Sequence, residues 1–168
     1  MTLPEAQLIR QEHILRDMQL TEEVKLAKKS LVRWLALSLG LISPNESRDL
    51  MLDVLETLFY FHFKQEEADI NRIVERVISL QPKQQKSRKA GEPKLDEKTR
   101  FAKAIRYHLL QLKNKGLIDR KNGIYTFVLD PMDESRDLGS AVEFVYESNA
   151  SFAIQKIKLA LQALERSY

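Results

Sequence analysis

The chain has 168 residues, a net charge of +3 and no cysteine. An apolar content of 43% with 30% charged residues is typical of a globular protein with its own core, and the lack of cysteine excludes disulfides and thiolate metal sites. There is no basic start followed by an apolar block, and no apolar run reaches the roughly 18 residues that cross a bilayer, so we expect a cytoplasmic protein without a membrane segment.

Positive charge is concentrated in one quarter of the sequence. From Gln81 to Lys121 there are 13 Lys or Arg and 4 Asp or Glu, so this segment carries +9 while the remainder carries −6. A cationic segment on an otherwise acidic body is typical of a surface that meets phosphates. A solvated linker joined to an exposed helix would have the same composition.

The first 43 residues predict a helical extension. Pro4 at a first-turn position predicts a helix that runs to about Leu20. Thr21, followed by two glutamates, has the pattern of an N-cap. It would start a second helix with apolar residues at three- and four-residue spacing, which ends at Gly40 because glycine favours the end of a helix.

The next region, residues 44–130, is predicted to form the central domain. Ser43, Pro44 and Glu46 have the pattern of a helix start, and the helix to about Phe63 is apolar on nearly all sides, which indicates a central position. Residues 68 to 80 predict a shorter helix with these side chains inward: Ile70, Ile73, Val74, Val77 and Ile78. The segment 81–96, with two prolines and a glycine, is predicted to be a basic loop.

The helix predicted over 97–115, with Asp96 as its N-cap and Gly116 just past its end, has two different sides. Its inner side carries Phe101, Ile105, Leu109 and Leu112, and its outer side carries Thr99, Arg100, Lys103, Arg106, Tyr107, Leu110 and Asn114. After it, Asn122-Gly123 lies between two short apolar runs over 118–128. Asn-Gly favours a type I′ turn, so we predict a β-hairpin.

Residues 131–168 are predicted to be a C-terminal helical region. Ala150 begins a series with alternating four- and three-residue steps, the spacing of a coiled coil. Either an intramolecular helical pair or self-association is compatible with this pattern. The candidate residues of a dimer interface are Ile154, Ile157, Leu161 and Leu164.

The order of these elements resembles a winged helix-turn-helix domain. The motif is carried by Leu109, Leu112, Lys115, Gly116, Leu117 and Ile118, followed by Asn122, Gly123, Tyr125 and Phe127. Regulators of the MarR and PadR types are similar in plan, and the resemblance implies a mainly α fold with one hairpin wing, flanked by N- and C-terminal helices that mediate dimerisation. One difference is the segment 81–96, because a helix-turn-helix usually has three or four residues between its second and third helices.

The charge and the resemblance together predict a DNA-binding protein, a transcriptional regulator that acts on double-stranded DNA as a homodimer without a cofactor or metal. The N-terminal half of a recognition helix approaches base edges, which selects Thr99, Arg100, Lys103 and Tyr107. The candidate phosphate contacts are Arg106, Lys113, Arg120, Lys121, Lys83, Lys86, Arg88 and Lys89.

The alternative function is a winged-helix protein-protein interaction module in a larger nucleic-acid-associated complex, with a protein partner in place of DNA. RNA is a third candidate ligand, although Tyr107 and Tyr125 offer little aromatic surface for stacking of bases. We do not expect an enzyme. The sequence has no Gly-rich phosphate loop, and its histidines, His13, His62 and His108, fall on separate predicted helices.

Overall fold

A computed structural model describes residues 3–81 and 95–168, apart from the side chains of residues 95–97. The described chain is mainly helical with one small two-stranded hairpin, as the sequence predicts. It forms two compact units, Met1–Thr126 and Phe127–Tyr168. Its elements are a 3-10 helix (Pro4–Leu8), α1 (Glu22–Leu26), α2 (Lys28–Ser38), α3 (Asp49–Lys64), α4 (Ile70–Leu80), α5 (Leu95–Asn114), β1 (Ile118–Lys121), β2 (Ile124–Phe127) and α6 (Leu138–Glu165). None of the helices in this part of the chain has the length and apolar character needed to cross a membrane.

Three helices, α3, α4 and α5, form the core of the first unit. The side chains that are almost completely buried there include Met51, Val54, Thr57, Ile73, Val77, Ile105, Leu109 and Leu112. Asp69 starts α4, because its carboxylate accepts hydrogen bonds from the backbone N–H groups of Asn71 at 2.8 Å and Arg72 at 3.1 Å. Ile78, predicted to face inward, is 42% exposed.

The helix predicted from Pro4 to about Leu20 is wrong. Only Pro4–Leu8 is helical, as a 3-10 turn, and residues 9–20 cross the end of α2 without regular structure. Arg16 explains the difference. Its backbone N–H donates to the carbonyl of Ser38 at 2.9 Å, and its guanidinium donates to the carbonyls of Leu37 and Ile42. The bonds to Leu37 and Ser38 satisfy carbonyls at the C-terminal end of α2 that have no partner within the helix, and the bond to Ile42 holds the segment that follows α2.

Three predicted helix boundaries also differ from the structure. The helix that Thr21 caps is interrupted at Ala27, whose φ of −117° and ψ of 116° are extended. α3 begins at Asp49 rather than beside Ser43, because the backbone N–H of Glu46 donates to the carbonyl of Ser43 in a turn and the carboxylate of Glu46 pairs with Arg48. α5 already includes Leu95, so Asp96 is not its N-cap.

The hairpin forms where it was predicted. Asn122 has a φ of 50° and Gly123 a φ of 82°, and both positive angles are those that a type I′ turn requires. Short segments next to α4 anchor the hairpin, since Asp69 forms an antiparallel bridge with Ile124 and the N–H of Tyr125 donates to the carbonyl of Ala68 at 3.0 Å. The pair of strands therefore does not rely on its own stability, which would be marginal in water.

The second unit is built on α6. The Asp137 carboxylate caps this helix by accepting from the backbone N–H of Ser140 at 2.8 Å. Ala141, Val145 and Tyr146 are buried, whereas every residue from Ala150 to the end is exposed. Burial raises the pKa of the Tyr146 hydroxyl to about 12. The prediction of a C-terminal helix is confirmed, and its last turns carry apolar side chains in water.

Candidate nucleic-acid interface

The two sides of α5 differ in exposure as the sequence predicts. Ile105, Leu109 and Leu112 are buried, and Phe101 is half-buried. The outer residues are all exposed: Thr99, Arg100, Lys103, Arg106, Tyr107, Leu110 and Asn114. The buried side fixes α5 against α3 and α4, so the outer side is presented by a rigid support.

A positive-φ glycine ends α5 and starts the connection to the hairpin. Gly116 has a φ of 75°, and the N–H of Leu117 donates back to the carbonyl of Leu112 at 3.1 Å. This arrangement is common at helix ends where glycine adopts the left-handed conformation. Leu117 and Ile118 are both buried, so the first residues of the hairpin are tied to the same core as α5.

The N-terminal segment supports the same end of α5. The Gln11 side-chain amide donates to the carbonyl of Asn114 at 2.8 Å. His13 is half-buried nearby, and burial together with the positive charge of Lys115 lowers the pKa of its imidazole. The sequence did not predict these contacts, because it indicated a helix from Pro4 to about Leu20.

Positive charge dominates the surface from α5 to the hairpin. Residues 95–121 include eight Lys or Arg and three acidic residues, Asp96, Glu97 and Asp119. Within residues 3–81 and 95–168, none of the ion pairs involves Arg100, Lys103 or Arg106. Cations that outnumber the acidic residues of the same surface attract a polyanion.

The hairpin places two further cations at its tip. Arg120 and Lys121 are exposed at the end of β1. The Arg120 guanidinium lies 5.5 Å from the centroid of the Tyr125 ring, which holds the side chain over the hairpin. The tip is therefore cationic and partly ordered by its own aromatic residue.

A hydrogen-bond network on α5 includes a residue that sequence reasoning did not select. The Gln111 amide nitrogen donates to the hydroxyl of Tyr107 at 3.1 Å, and the Gln111 carbonyl lies 3.2 Å from Nδ1 of His108. Burial lowers the pKa of His108, while the bond to Gln111 raises it and Arg48 lowers it. The four-residue spacing of Tyr107 and Gln111 places them on one helix face, and that signal was available in the sequence.

An open groove adjoins the outer side of α5. It has a volume of about 500 Å³ and lies between α4 and α5. Thr99 and Arg106 line one wall, and Asn71 and Glu75 line the other. Sequence reasoning missed the groove because it depends on how the two helices pack.

The predicted site residues fall into three groups. Thr99, Arg100, Lys103, Tyr107, Arg106 and Lys113 share the exposed surface of α5, and Arg120 and Lys121 lie on the hairpin. Lys83, Lys86, Arg88 and Lys89 lie outside the described residues. The dimer candidates Ile154, Ile157, Leu161 and Leu164 are 49%, 56%, 59% and 53% exposed on α6.

Within the part of the chain that the structure describes, no three His, Cys, Asp or Glu side chains stand close enough to hold a metal ion. No family model, curated protein or solved structure matches the chain. The geometry of α5 and its surroundings is therefore the basis of the functional argument.

Proposed function

We propose that this chain is a winged helix-turn-helix protein that binds double-stranded DNA and regulates transcription. The observation that supports this most is the exposed, cationic outer side of α5, opposite a side that is buried in the core. The order of elements adds support. A helix, a short bridged segment, two further helices and a hairpin follow one another from Asp49 to Phe127, which resembles the plan of winged domains.

The dimensions of duplex DNA suit such a helix. The major groove is about 12 Å wide and admits one α-helix. With α5 in the groove, side chains from its N-terminal half approach base edges. The residues that we assign to this contact are Thr99, Arg100 and Lys103 in that half, together with Tyr107, one turn beyond Lys103 on the same exposed side.

A second set of cations is assigned to the phosphates. Arg106 and Lys113 lie on α5, and Arg120 and Lys121 lie at the hairpin tip. We keep Lys83, Lys86, Arg88 and Lys89 in this set on the sequence argument alone. Each phosphate contact contributes roughly −0.9 to the slope of log K against log salt, so we expect binding that weakens steeply as salt rises.

We also propose that the chain acts as a homodimer through α6. Residues 150–165 form a helix that is exposed on all sides, and helices of about this length are marginal in water when nothing covers their apolar face. The heptad spacing of Ile154, Ile157, Leu161 and Leu164 suits a second copy of the same helix. Two such copies would present two recognition helices to a two-fold symmetric DNA site.

The test of DNA binding uses a double charge reversal on α5, Lys103→Glu with Arg106→Glu. We expect the wild-type chain to retard a duplex in a gel and the variant to lose this retardation, because two negative charges replace two positive charges on the side of α5 that faces the polyanion. Circular dichroism should remain unchanged, since both side chains are exposed.

The matched control is Arg33→Glu with Lys156→Glu. These two residues are exposed on α2 and α6, and the control changes the net charge by the same amount. Loss of binding in the α5 variant alone supports the assignment. Equal loss in both variants would show a nonspecific effect of charge and contradict the assignment of α5 as the DNA-binding surface. A wild-type chain that does not bind duplex DNA would refute the proposal.

A further inference from the structure

Gln111 connects a half-buried histidine to the exposed tyrosine of α5. Its side-chain carbonyl faces Nδ1 of His108 at 3.2 Å, and its amide nitrogen donates to the hydroxyl oxygen of Tyr107 at 3.1 Å. The rings of Tyr107 and His108 also meet edge to face, with centroids 5.7 Å apart. Tyr107 is 59% exposed, yet its hydroxyl is held by a side chain from the next helical turn.

The direction of these hydrogen bonds determines what Tyr107 can offer to a ligand. A carboxamide oxygen only accepts, so Nδ1 of His108 carries the proton in this arrangement. The amide nitrogen of Gln111 then points to Tyr107 and occupies one acceptor position of its hydroxyl oxygen. The hydroxyl proton takes no part in this bond and remains available for donation.

Protonation of His108 does not reverse this arrangement. Both imidazole nitrogens donate in the charged form, so the bond to the Gln111 carbonyl is kept. Burial lowers the pKa of this imidazole and so favours its neutral form, in which the Gln111 carbonyl favours the tautomer with the proton on Nδ1. The orientation of Gln111 is therefore the same on either side of the titration of His108.

We propose that Gln111 is a positioning residue that presents the Tyr107 hydroxyl as a hydrogen-bond donor to an acceptor on a DNA base edge. This inference rests on the proposed DNA-binding function and adds that Tyr107 donates, rather than accepts, the hydrogen bond to the base. In the major groove the acceptors are N7 and O6 of guanine, N7 of adenine and O4 of thymine, while the N4 amine of cytosine is a donor. Tyr107 then selects against cytosine at the base that it contacts.

The experiment measures a ratio of affinities. A duplex selected from a random library and a scrambled duplex of the same composition are titrated with the wild-type chain, Tyr107→Phe, Gln111→Met and the double variant. Methionine matches glutamine in length but cannot donate a hydrogen bond. We expect each single variant to lower the ratio of specific to nonspecific affinity roughly 5- to 100-fold, the range of one base contact.

The double variant should lose no more than either single variant, because both changes remove the same contact. Lys113→Met is the matched control, since Lys113 is exposed two residues after Gln111 and is assigned to a phosphate. It should weaken binding to both duplexes and leave the ratio unchanged. The inference is overturned if Gln111→Met keeps the wild-type ratio of specific to nonspecific affinity. It is also overturned if the double variant loses the product of the two single-variant losses in this ratio.

A second measurement separates this inference from the proposed function. In the free protein, the side-chain amide protons of Gln111 should give nuclear Overhauser effects to the ring protons of Tyr107. Their absence overturns the positioning role even if DNA is bound. If they are present and the wild-type chain shows no preference between the duplexes, the proposed function fails and the assignment of Tyr107 to a base fails with it.

Discussion

Asp53 carries a carboxyl group on the strongly apolar helix α3, and the residue is only 8% exposed. Burial raises its pKa, with Glu56 and Asp49 acting in the same direction, while Lys29 and the hydrogen bond from the Gln81 amide lower it. The folded chain therefore keeps this proton at pH values where the unfolded chain has released it. Stability from this group is highest below the ordinary value of 3.8 and decreases as pH rises through the window up to the folded-state pKa.

Asp53→Asn should therefore stabilise the fold at neutral pH. The asparagine carbonyl can still accept from Gln81, and the cost of a buried negative charge disappears. We expect the melting temperature at pH 7 to rise by a few degrees, and the difference from the wild type to shrink towards pH 3. Thermal denaturation followed by circular dichroism at both pH values measures these melting temperatures.

Asp17→Asn, in the exposed N-terminal segment, is the control for removal of a charge. A lower melting temperature for Asp53→Asn than for the wild type at pH 7 would contradict the predicted cost of the buried charge.

At the scale of elements, the helices with a strong apolar pattern were predicted correctly, whereas the helix predicted from Pro4 to about Leu20 does not form. α3, α4 and α5 each have residues that the core requires at helical spacing, so burial and local preference favour the same conformation. The segment 9–20 is different. Its conformation depends on carbonyls at the end of α2 that accept from Arg16, and such a long-range partner leaves no local pattern.

Alanine substitutions at two glycines would measure how closely this N-terminal segment packs against the end of α2. Gly40 and Gly123 have φ of 67° and 82°, so alanine would strain the backbone at both positions. At Gly40 a Cβ would also lie 2.6 Å from Cβ of Ile14, whereas at Gly123 it would meet no atom within 4 Å. The comparison of the two therefore isolates the contact between Gly40 and Ile14.

We expect Gly123→Ala to lower the free energy of unfolding by about 1 kcal/mol. Gly40→Ala should lower the free energy of unfolding by about 1 to 3 kcal/mol more than Gly123→Ala does, because the N-terminal segment must move away from the end of α2. Urea denaturation of both variants provides the measurement. Equal losses would show that the contact with Ile14 contributes nothing to stability.

At the scale of the whole molecule, the open question of the sequence was whether the C-terminal helix pairs within the chain or between chains. The side chains from Ala150 to Tyr168 are exposed, and the dimer that we propose would cover the apolar ones among them. The exposed halves of four Leu or Ile side chains correspond to an area on the order of 300 Å² per copy. This is below the ~800 Å² that a standard interface buries per partner, so we expect an association that depends on concentration.

Leu161 and Leu159 provide a matched pair for the dimer. They are 59% and 65% exposed, but they lie on opposite sides of α6, since consecutive residues in a helix are about 100° apart. Leu161→Lys should make the chain monomeric, because a charge replaces an apolar residue in the heptad stripe. Leu159→Lys should keep the wild-type state. Sedimentation equilibrium over a range of concentrations distinguishes them, and a wild-type chain that stays monomeric throughout would refute the dimer.

For the candidate interface, the sequence by itself determined the helix α5, the division of its residues into buried and exposed sides, and the turn at Asn122 and Gly123. These features depend on periodicity and on backbone preferences that act within a few residues. The tertiary structure alone decided the course of residues 9–20, the bridge between Asp69 and Ile124, and the groove between α4 and α5. Each of these depends on atoms far apart in the chain, whose positions are fixed only when the core packs.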